Sequence, residues 1–167
     1  MIQEVDNRHK LATPALDEDA MTGLAAALAG ALQAPLVVYL QGDLGSGKTT
    51  FARALIQALG FPGRVKSPTY GLLEHYATDH FQVLHLDLYR IEKPGEMEFL
   101  GIEDLFDERT VLMIEWPERG VGALPEADLV IQFDHQGARR KLQLEARTTA
   151  ARPLLAEIRQ YINTFSS

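Results

Sequence analysis

Apolar residues recur at helical spacing in three parts of the chain. The first stripe follows Asp17, a candidate N-cap, and consists of Met21, Leu24, Ala25, Leu28 and Leu32. A second stripe runs through residues 48–59, and a third follows Pro153 at a first-turn position. Apolar positions three and four residues apart share one face of a helix. The pattern therefore predicts three amphipathic helices, each with one face available for packing.

Continuous apolar runs at residues 36–40 (LVVYL) and 111–114 (VLMI) show no alternation. That pattern is typical of strands buried on both faces of a parallel sheet. Short acidic helices are predicted within residues 94–105. Strands that alternate with helices favour an α/β fold with three layers and a mixed, mainly parallel central sheet. Further strands are predicted at residues 70–76, 81–87, 128–133 and 140–146, the first two as a hairpin.

The length of 167 residues suits a single domain, which we expect to span residues 1–167. A net charge of −7 opposes direct wrapping around nucleic acid. The chain has no cysteine, which excludes disulfide bonds and thiolate catalysis. The apolar stretch at residues 24–40 contains Pro35 and is shorter than the roughly 20 residues of a membrane span. We expect a cytoplasmic protein with no membrane partner.

A phosphate-binding motif lies between the first predicted strand and the second predicted helix. Residues 42–49 (GDLGSGKT) fit the pattern G-x-x-x-x-G-K-[ST], and this position in the fold is the one that the motif requires. Its glycines allow successive backbone amides to converge on phosphate oxygens at the positive end of the helix. Lys48 adds a charge near the outer phosphates, the Thr49 hydroxyl is placed for Mg²⁺, and Thr50 for an inner phosphate. The predicted ligands are Asp43, Leu44, Gly45, Ser46, Gly47, Lys48, Thr49 and Thr50.

A phosphate-binding loop of this kind needs an acidic partner for Mg²⁺ or for the attacking water, usually at the end of a neighbouring strand. Glu115 directly follows the apolar run at residues 111–114 and is the leading candidate. Asp87 follows a second strand and is another. The chain lacks the N-K-x-D guanine signature, which favours ATP over GTP.

Several other residues carry weaker signals. The segment at residues 67–70 (SPTY) contains a proline and fits either a turn or a nucleotide-sensing loop. Trp116 is expected to pack in the core. The spacing of His75, His80 and His85 fits neither a helix face nor a strand face, so we expect scattered surface residues. The basic residues Arg139, Arg140 and Lys141 lie at a predicted turn, where a solvated surface is expected.

Taken together, five motifs resemble one family, the ATPase of tRNA threonylcarbamoyladenosine biosynthesis called TsaE. The motifs are YLQGDLGSGKTT (residues 39–50), VKSPTY (65–70), HLDLYR (85–90), EFLGIEDLF (98–106) and IEWPERG (114–120). They follow the family's order over about residues 17–133, and the two ends match loosely.

The resemblance implies a P-loop NTPase-like domain that hydrolyses ATP with Mg²⁺. It implies TsaB and TsaD as protein partners, with tRNA reached indirectly through them. Among the matching positions, Lys48, Asp87 and Glu115 become catalytic, and Thr49, Glu115 and Asp87 become the Mg²⁺ residues. The expected nucleotide contacts outside the loop are Thr69, Trp116, Glu18 and Phe133, the last two beside the adenine.

Two other functions fit the same residues. A small-molecule kinase shares the phosphate-binding loop and could use Asp87 as its general base. A nucleotide-dependent binding module would use ATP to change its affinity for a partner, with hydrolysis incidental. Both alternatives keep the nucleotide site and differ in the fate of the bound nucleotide.

Overall fold

Within residues 9–66 and 72–165, the part of the chain that this computed structural model describes, seven strands form one sheet. Their order across the sheet is β1-β7-β6-β2-β5-β4-β3. The strands are β1 (Lys10–Ala12), β2 (Leu36–Gly42), β3 (Leu73–Ala77), β4 (Gln82–Asp87), β5 (Thr110–Glu115), β6 (Leu129–Gln136) and β7 (Arg139–Ala146). The four central strands run parallel, and the outer strands pair antiparallel. This mixed sheet with a parallel centre confirms the predicted α/β fold.

The predicted helices are present with nearly the expected bounds. They are α1 (Glu18–Ala31), α2 (Lys48–Ala58), α3 (Ile102–Leu105) and α4 (Arg152–Asn163). Asp17 caps α1 by accepting a hydrogen bond from the backbone amide of Ala20 at 2.8 Å, which satisfies one of the helix's unpaired amides. None of the helices in the described ranges combines the length and the apolar composition that a membrane span requires.

The two faces of the sheet carry different layers. One face packs against α1, α2 and α4 and forms the larger apolar cluster, with Leu24, Phe51 and Leu155 among its buried side chains. The opposite face is covered by the shorter segments between β4 and β5, including a 3₁₀ segment at Pro94–Leu100. Strand residues alternate between the two clusters, as the period of a strand requires. The three predicted layers are therefore present, with a thinner third layer.

Parallel register brings the ends of three strands to one edge of the sheet. β2 pairs with β5 so that Leu40 lies opposite Glu115. β4 pairs with β5 so that Asp87 lies opposite Glu115. The chain leaves β2 through Gly42 at the same edge. Carboxyl ends of parallel strands are where α/β folds bind ligands.

Two local features differ from the sequence pattern. The strand β1 was not predicted, because its three residues contain one large apolar side chain and gain strand structure only by pairing with β7. The first of the acidic helices at residues 94–105 is a 3₁₀ segment that ends at Gly101, where the backbone φ is 64°. The predicted strand at residues 70–76 begins at Leu73 in the described part of the chain.

Replacing Phe51 by alanine tests how α2 is held on the sheet. Phe51 is completely buried, and its ring meets that of Phe133 edge to face at 5.5 Å between centroids. We expect the variant to lose about 3–5 kcal/mol of unfolding free energy, because truncation leaves a cavity in the core. Urea denaturation followed by circular dichroism measures this loss, and Val121→Ala at a 71% exposed position is the control. A loss below about 1 kcal/mol would contradict this packing.

Candidate functional site

The loop between β2 and α2 presents an uncapped helix end. Gly47 is the N-cap of α2 and has a backbone φ of 103°, a conformation that favours glycine. A Cβ at this position would lie 3.1 Å from the Cε atom of Met21, so the close approach of α1 also favours glycine. Because Gly47 has no side chain, no side chain caps the first amides of α2. Such amides form a ready site for an anion.

A cavity of about 350 Å³ opens in front of this helix end. This volume lies within the usual range for small-molecule sites. Its lining brings together most of the predicted ligands from separate parts of the chain. The lining residues are Leu16, Asp17, Glu18, Met21, Leu44, Gly45, Ser46, Gly47, Lys48, Thr49, Thr50, Asp87, Tyr89, Glu115, Trp116, Ala138 and Arg140.

Lys48 lies inside this cavity with 4% of its surface exposed. Its ammonium group donates to the carbonyl oxygens of Gly42 and Asp43, the latter at 3.1 Å. The same group lies 4.0 Å from the centroid of the Trp116 ring. Burial lowers the pKa of Lys48, and nearby carboxylates, Glu115 first among them, act in the opposite direction. The amine is thus held in place by neutral groups of the loop and an aromatic face.

Trp116 reaches Lys48 through an unusual backbone conformation. Its φ of 58° lies in the left-handed region, which costs an ordinary residue about 1–2 kcal/mol. The ring is half-buried, lines the cavity and also packs against the smaller apolar cluster. Its centroid lies 5.2 Å from that of Tyr89. The expectation of core packing therefore describes only part of its surroundings.

The two predicted acids are buried side by side at the strand ends. Glu115 is 2% exposed, and its Oε1 atom accepts a hydrogen bond from the Thr49 hydroxyl at 2.8 Å. Asp87 is 5% exposed, and its Oδ1 atom accepts from the Tyr89 amide at 3.0 Å. Two carboxylates and a hydroxyl offer the oxygen ligands that Mg²⁺ prefers.

These oxygen ligands fit Mg²⁺ only as a partial site. Among the residues that the structure describes, no three His, Cys, Asp or Glu side chains are grouped to hold a metal by themselves. Mg²⁺ usually binds one or two carboxylates together with substrate phosphates. The uncapped amides of α2, on the same cavity, are suited to those phosphates. The residues present therefore fit a metal that arrives with a phosphate compound.

His85 contradicts the expectation of a surface residue. It is completely buried, and its Nε2 atom lies 2.6 Å from the Oε2 atom of Glu115. His75 and His80 are exposed, as expected. The sequence did contain one signal that places His85 near the acids. His85 lies two residues before Asp87, and residues two apart on a strand share one face.

Arg140 also differs from its prediction. Arg139 and Lys141 are exposed, but the Arg140 guanidinium reaches the phosphate-binding loop. Its Nε atom donates to the Ser46 carbonyl and its Nη2 atom to the Gly45 carbonyl, both at 3.1 Å. These groups are 94 and 95 residues apart in the chain, so no local pattern could reveal the contact.

The remaining predicted nucleotide contacts have different outcomes. Glu18 lines the cavity, next to Asp17. The Phe133 ring is buried against Phe51 and is not on the cavity wall, and its contact with the adenine stays a prediction. The carbonyl oxygen and the Cβ of Phe133 approach the loop, since a Cβ on Gly42 would lie 2.7 Å from the former and 3.1 Å from the latter. Thr69 lies outside the described residues.

Comparison with known proteins adds sequence relatives and a structural neighbour. The model of the family described as threonylcarbamoyl adenosine biosynthesis protein TsaE matches residues 15–142. The Haemophilus influenzae protein named tRNA threonylcarbamoyladenosine biosynthesis protein TsaE is 44% identical over 121 residues, covering 72% of this chain and 77% of its own. The Bacillus subtilis protein of the same name is 36% identical over 101 residues, covering 60% and 63%.

The crystal structure of YdiB from Bacillus subtilis superposes with a TM-score of 0.73 and 25% sequence identity, covering 91% of this chain and 94% of that one. The family match spans the cap of α1, the phosphate-binding loop, both buried acids and Arg140. The chain therefore belongs to the TsaE family of threonylcarbamoyladenosine biosynthesis proteins.

Proposed function

We propose that the chain is a Mg²⁺-dependent ATP hydrolase that acts with TsaB and TsaD in the threonylcarbamoyl modification of tRNA. One observation carries the proposal. A lysine, a threonine hydroxyl and two buried carboxylates converge on the uncapped N-terminus of α2 within one cavity. We further propose that residues 1–167 act as one domain in the cytoplasm.

Phosphate binding rests on α2 and Lys48. The amides of the first turn of α2 point toward the cavity and favour an anion there. Lys48 donates to two loop carbonyls and can exchange those neutral acceptors for charged phosphate oxygens. The Trp116 ring beside the amine limits where it can move. The loop and Lys48 thus act as the phosphate clamp.

The buried acids divide the remaining work. Thr49 and Glu115, already joined by a hydrogen bond, would hold Mg²⁺ together with Asp87. When bound, Mg²⁺ neutralises negative charge on the phosphates. Asp87 is anchored through Oδ1 to the backbone of Tyr89, beside the cavity. It orients a water whose oxygen attacks the terminal phosphorus, takes a proton from that water, and ADP leaves with the cleaved bond's electrons.

The part of the cavity wall that lies outside the phosphate-binding loop suits the nucleoside. Leu16, Met21 and Ala138 supply apolar surface there, and Glu18 supplies a carboxylate. An apolar wall with a few polar groups is typical of sites that hold a flat heterocycle. The absence of a guanine signature in the sequence supports adenine.

Arg140 fixes the conformation of the phosphate-binding loop. Because its guanidinium binds two loop carbonyls, those carbonyls are held toward the β6–β7 hairpin. Amides are then free to face the anion. The net charge of −7 supports a role in which protein partners, not this chain alone, hold the tRNA.

Arg140→Ala is expected to weaken ATP binding by about five- to tenfold, since two hydrogen bonds to the loop are lost at a half-buried position. Titration of Trp116 fluorescence with ATP measures the affinity. Arg139→Ala is the matched control, because Arg139 is adjacent to Arg140 and carries the same charge but is exposed. An equal effect from both variants would mean that charge alone is responsible.

Asp87→Asn is expected to lower the hydrolysis rate by about 10²–10⁴ while ATP affinity measured in EDTA changes little, because the amide keeps its size but accepts no proton. Phosphate release and equilibrium binding are measured on the same preparation. The control is Asp79→Asn, at an exposed position in the turn between β3 and β4. A wild-type rate in Asp87→Asn contradicts its role as base.

The partner role is tested by adding increasing amounts of a TsaB–TsaD complex to the chain. We expect slow ATP hydrolysis alone, a saturable rise in phosphate release with the partners, and repeated rounds of tRNA modification only when the chain is present. ADP and phosphate should form in equal amounts. A rate of phosphate release that does not rise at saturating TsaB–TsaD would contradict the coupling between the partners and hydrolysis. Formation of a phosphorylated nucleoside or sugar would favour the alternative function as a small-molecule kinase.

A further inference from the structure

His85 lies directly beneath the carboxylates of the candidate site. On β4, His85 and Asp87 point to the same face of the sheet, toward the layer that contains α2. Glu115 ends the neighbouring strand opposite Asp87 and reaches back over His85. The imidazole is completely buried and does not line the cavity. Its hydrogen bond to Glu115 therefore connects it to the site.

The contact between His85 and Glu115 determines which imidazole nitrogen carries the proton and how the carboxylate is oriented. The Nε2 atom lies 2.6 Å from Oε2, and a carboxylate can only accept a hydrogen bond. We therefore assign the proton of the imidazole to Nε2. The other carboxylate oxygen, Oε1, accepts from the Thr49 hydroxyl at 2.8 Å. Each oxygen of Glu115 thus has its own donor, and the carboxylate plane cannot rotate without losing one of them.

Packing alone does not explain a histidine at this position. Val83 precedes it on the same face of β4, and Met113 is its partner on β5, both buried and apolar. Within residues 9–66 and 72–165, the Nδ1 atom of His85 has no hydrogen-bond partner. An apolar side chain would avoid burying that nitrogen. The polar contact that His85 does make is the hydrogen bond to Glu115.

Glu115 has a second neighbour, a cation, that could compete for it. Lys48 lines the same cavity, and the charge of Glu115 acts on it more strongly than the other carboxylates do. With Oε2 left without its donor, the carboxylate could turn toward Lys48. It would then leave the Thr49 hydroxyl and occupy the amine that should bind phosphate.

We propose that His85 is a positioning residue of the site. It holds Oε2 of Glu115 so that Oε1 stays on Thr49, where Mg²⁺ would be held, and so that Lys48 remains available to phosphate. The proposal rests on the proposed function, because it presumes a nucleotide that brings Mg²⁺. Hydrogen-bonded partners of metal-binding side chains commonly affect metal affinity by about 10- to 100-fold.

Two amide variants test this role at equal polarity. In His85→Gln, the amide nitrogen falls where Nε2 lies and can still donate to Glu115. In His85→Asn, the side chain is one methylene shorter and the amide falls near Nδ1, out of reach of Glu115. Both variants bury one amide, so a general loss of stability affects them alike. His75→Leu, at an exposed histidine on β3, is the surface control.

The measurement is the affinity for a nonhydrolysable ATP analogue, with Mg²⁺ and with EDTA, followed by the fluorescence of Trp116, the only tryptophan. The ratio of the two dissociation constants gives the Mg²⁺-dependent gain. We expect His85→Asn to reduce this gain by about 10- to 100-fold and to weaken the affinity in EDTA by a smaller factor, because Glu115 then competes with phosphate for Lys48. His85→Gln should keep most of the gain. In a Glu115→Gln background, His85→Asn should add no further loss.

Three results would overturn the proposal. The first is a wild-type gain in His85→Asn, and the second is an equal loss in the Asn and Gln variants. The third is a loss of affinity in EDTA as large as that in Mg²⁺, which indicates a purely structural role. Each of these leaves wild-type binding of the nucleotide intact and so does not affect the proposed function. A wild-type chain that binds no nucleotide would overturn both.

Discussion

Parallel pairing of β2, β4 and β5 is the constraint on which the candidate site depends. It brings the carboxyl ends of three strands to one edge, so that the exit of β2 into the phosphate-binding loop meets Asp87 and Glu115. A slip of one residue in either pair would turn an acid to the opposite face. The apolar clusters on both faces prevent such a slip, since every core residue would change sides with it.

Burial of these charges has its own cost, which the site offsets with specific partners. Glu115 has a hydroxyl on one oxygen and an imidazole on the other. Lys48 donates to carbonyls and lies against an aromatic ring. Polar groups that are already oriented need little rearrangement when charge develops on a substrate. The site is thus organised by the fold itself.

The sequence revealed the features that depend on local pattern. The apolar periodicity predicted α1, α2, α4 and the central strands, and the glycine motif located the loop with the acids at strand ends. The sequence pattern could not reveal β1, because the structure of β1 depends on a partner strand far along the chain. Arg140 was misassigned for a related reason. Whether a side chain faces solvent, core or cavity depends on register and hairpin geometry, which single-residue spacing does not determine. His85 shows the limit most clearly, since its role requires knowing what lies on the adjacent strand.

The contact of Arg140 with the loop has a consequence for how the protein is made. The glycine motif leaves the ribosome about 95 residues before the arginine that holds its carbonyls. The β6–β7 hairpin must also form before Arg140 reaches the loop, and Leu16 pairs with the same residue. A nascent chain therefore carries the motif without its final conformation. The loop therefore reaches the conformation that Arg140 holds late in synthesis, when the last strand has joined the sheet.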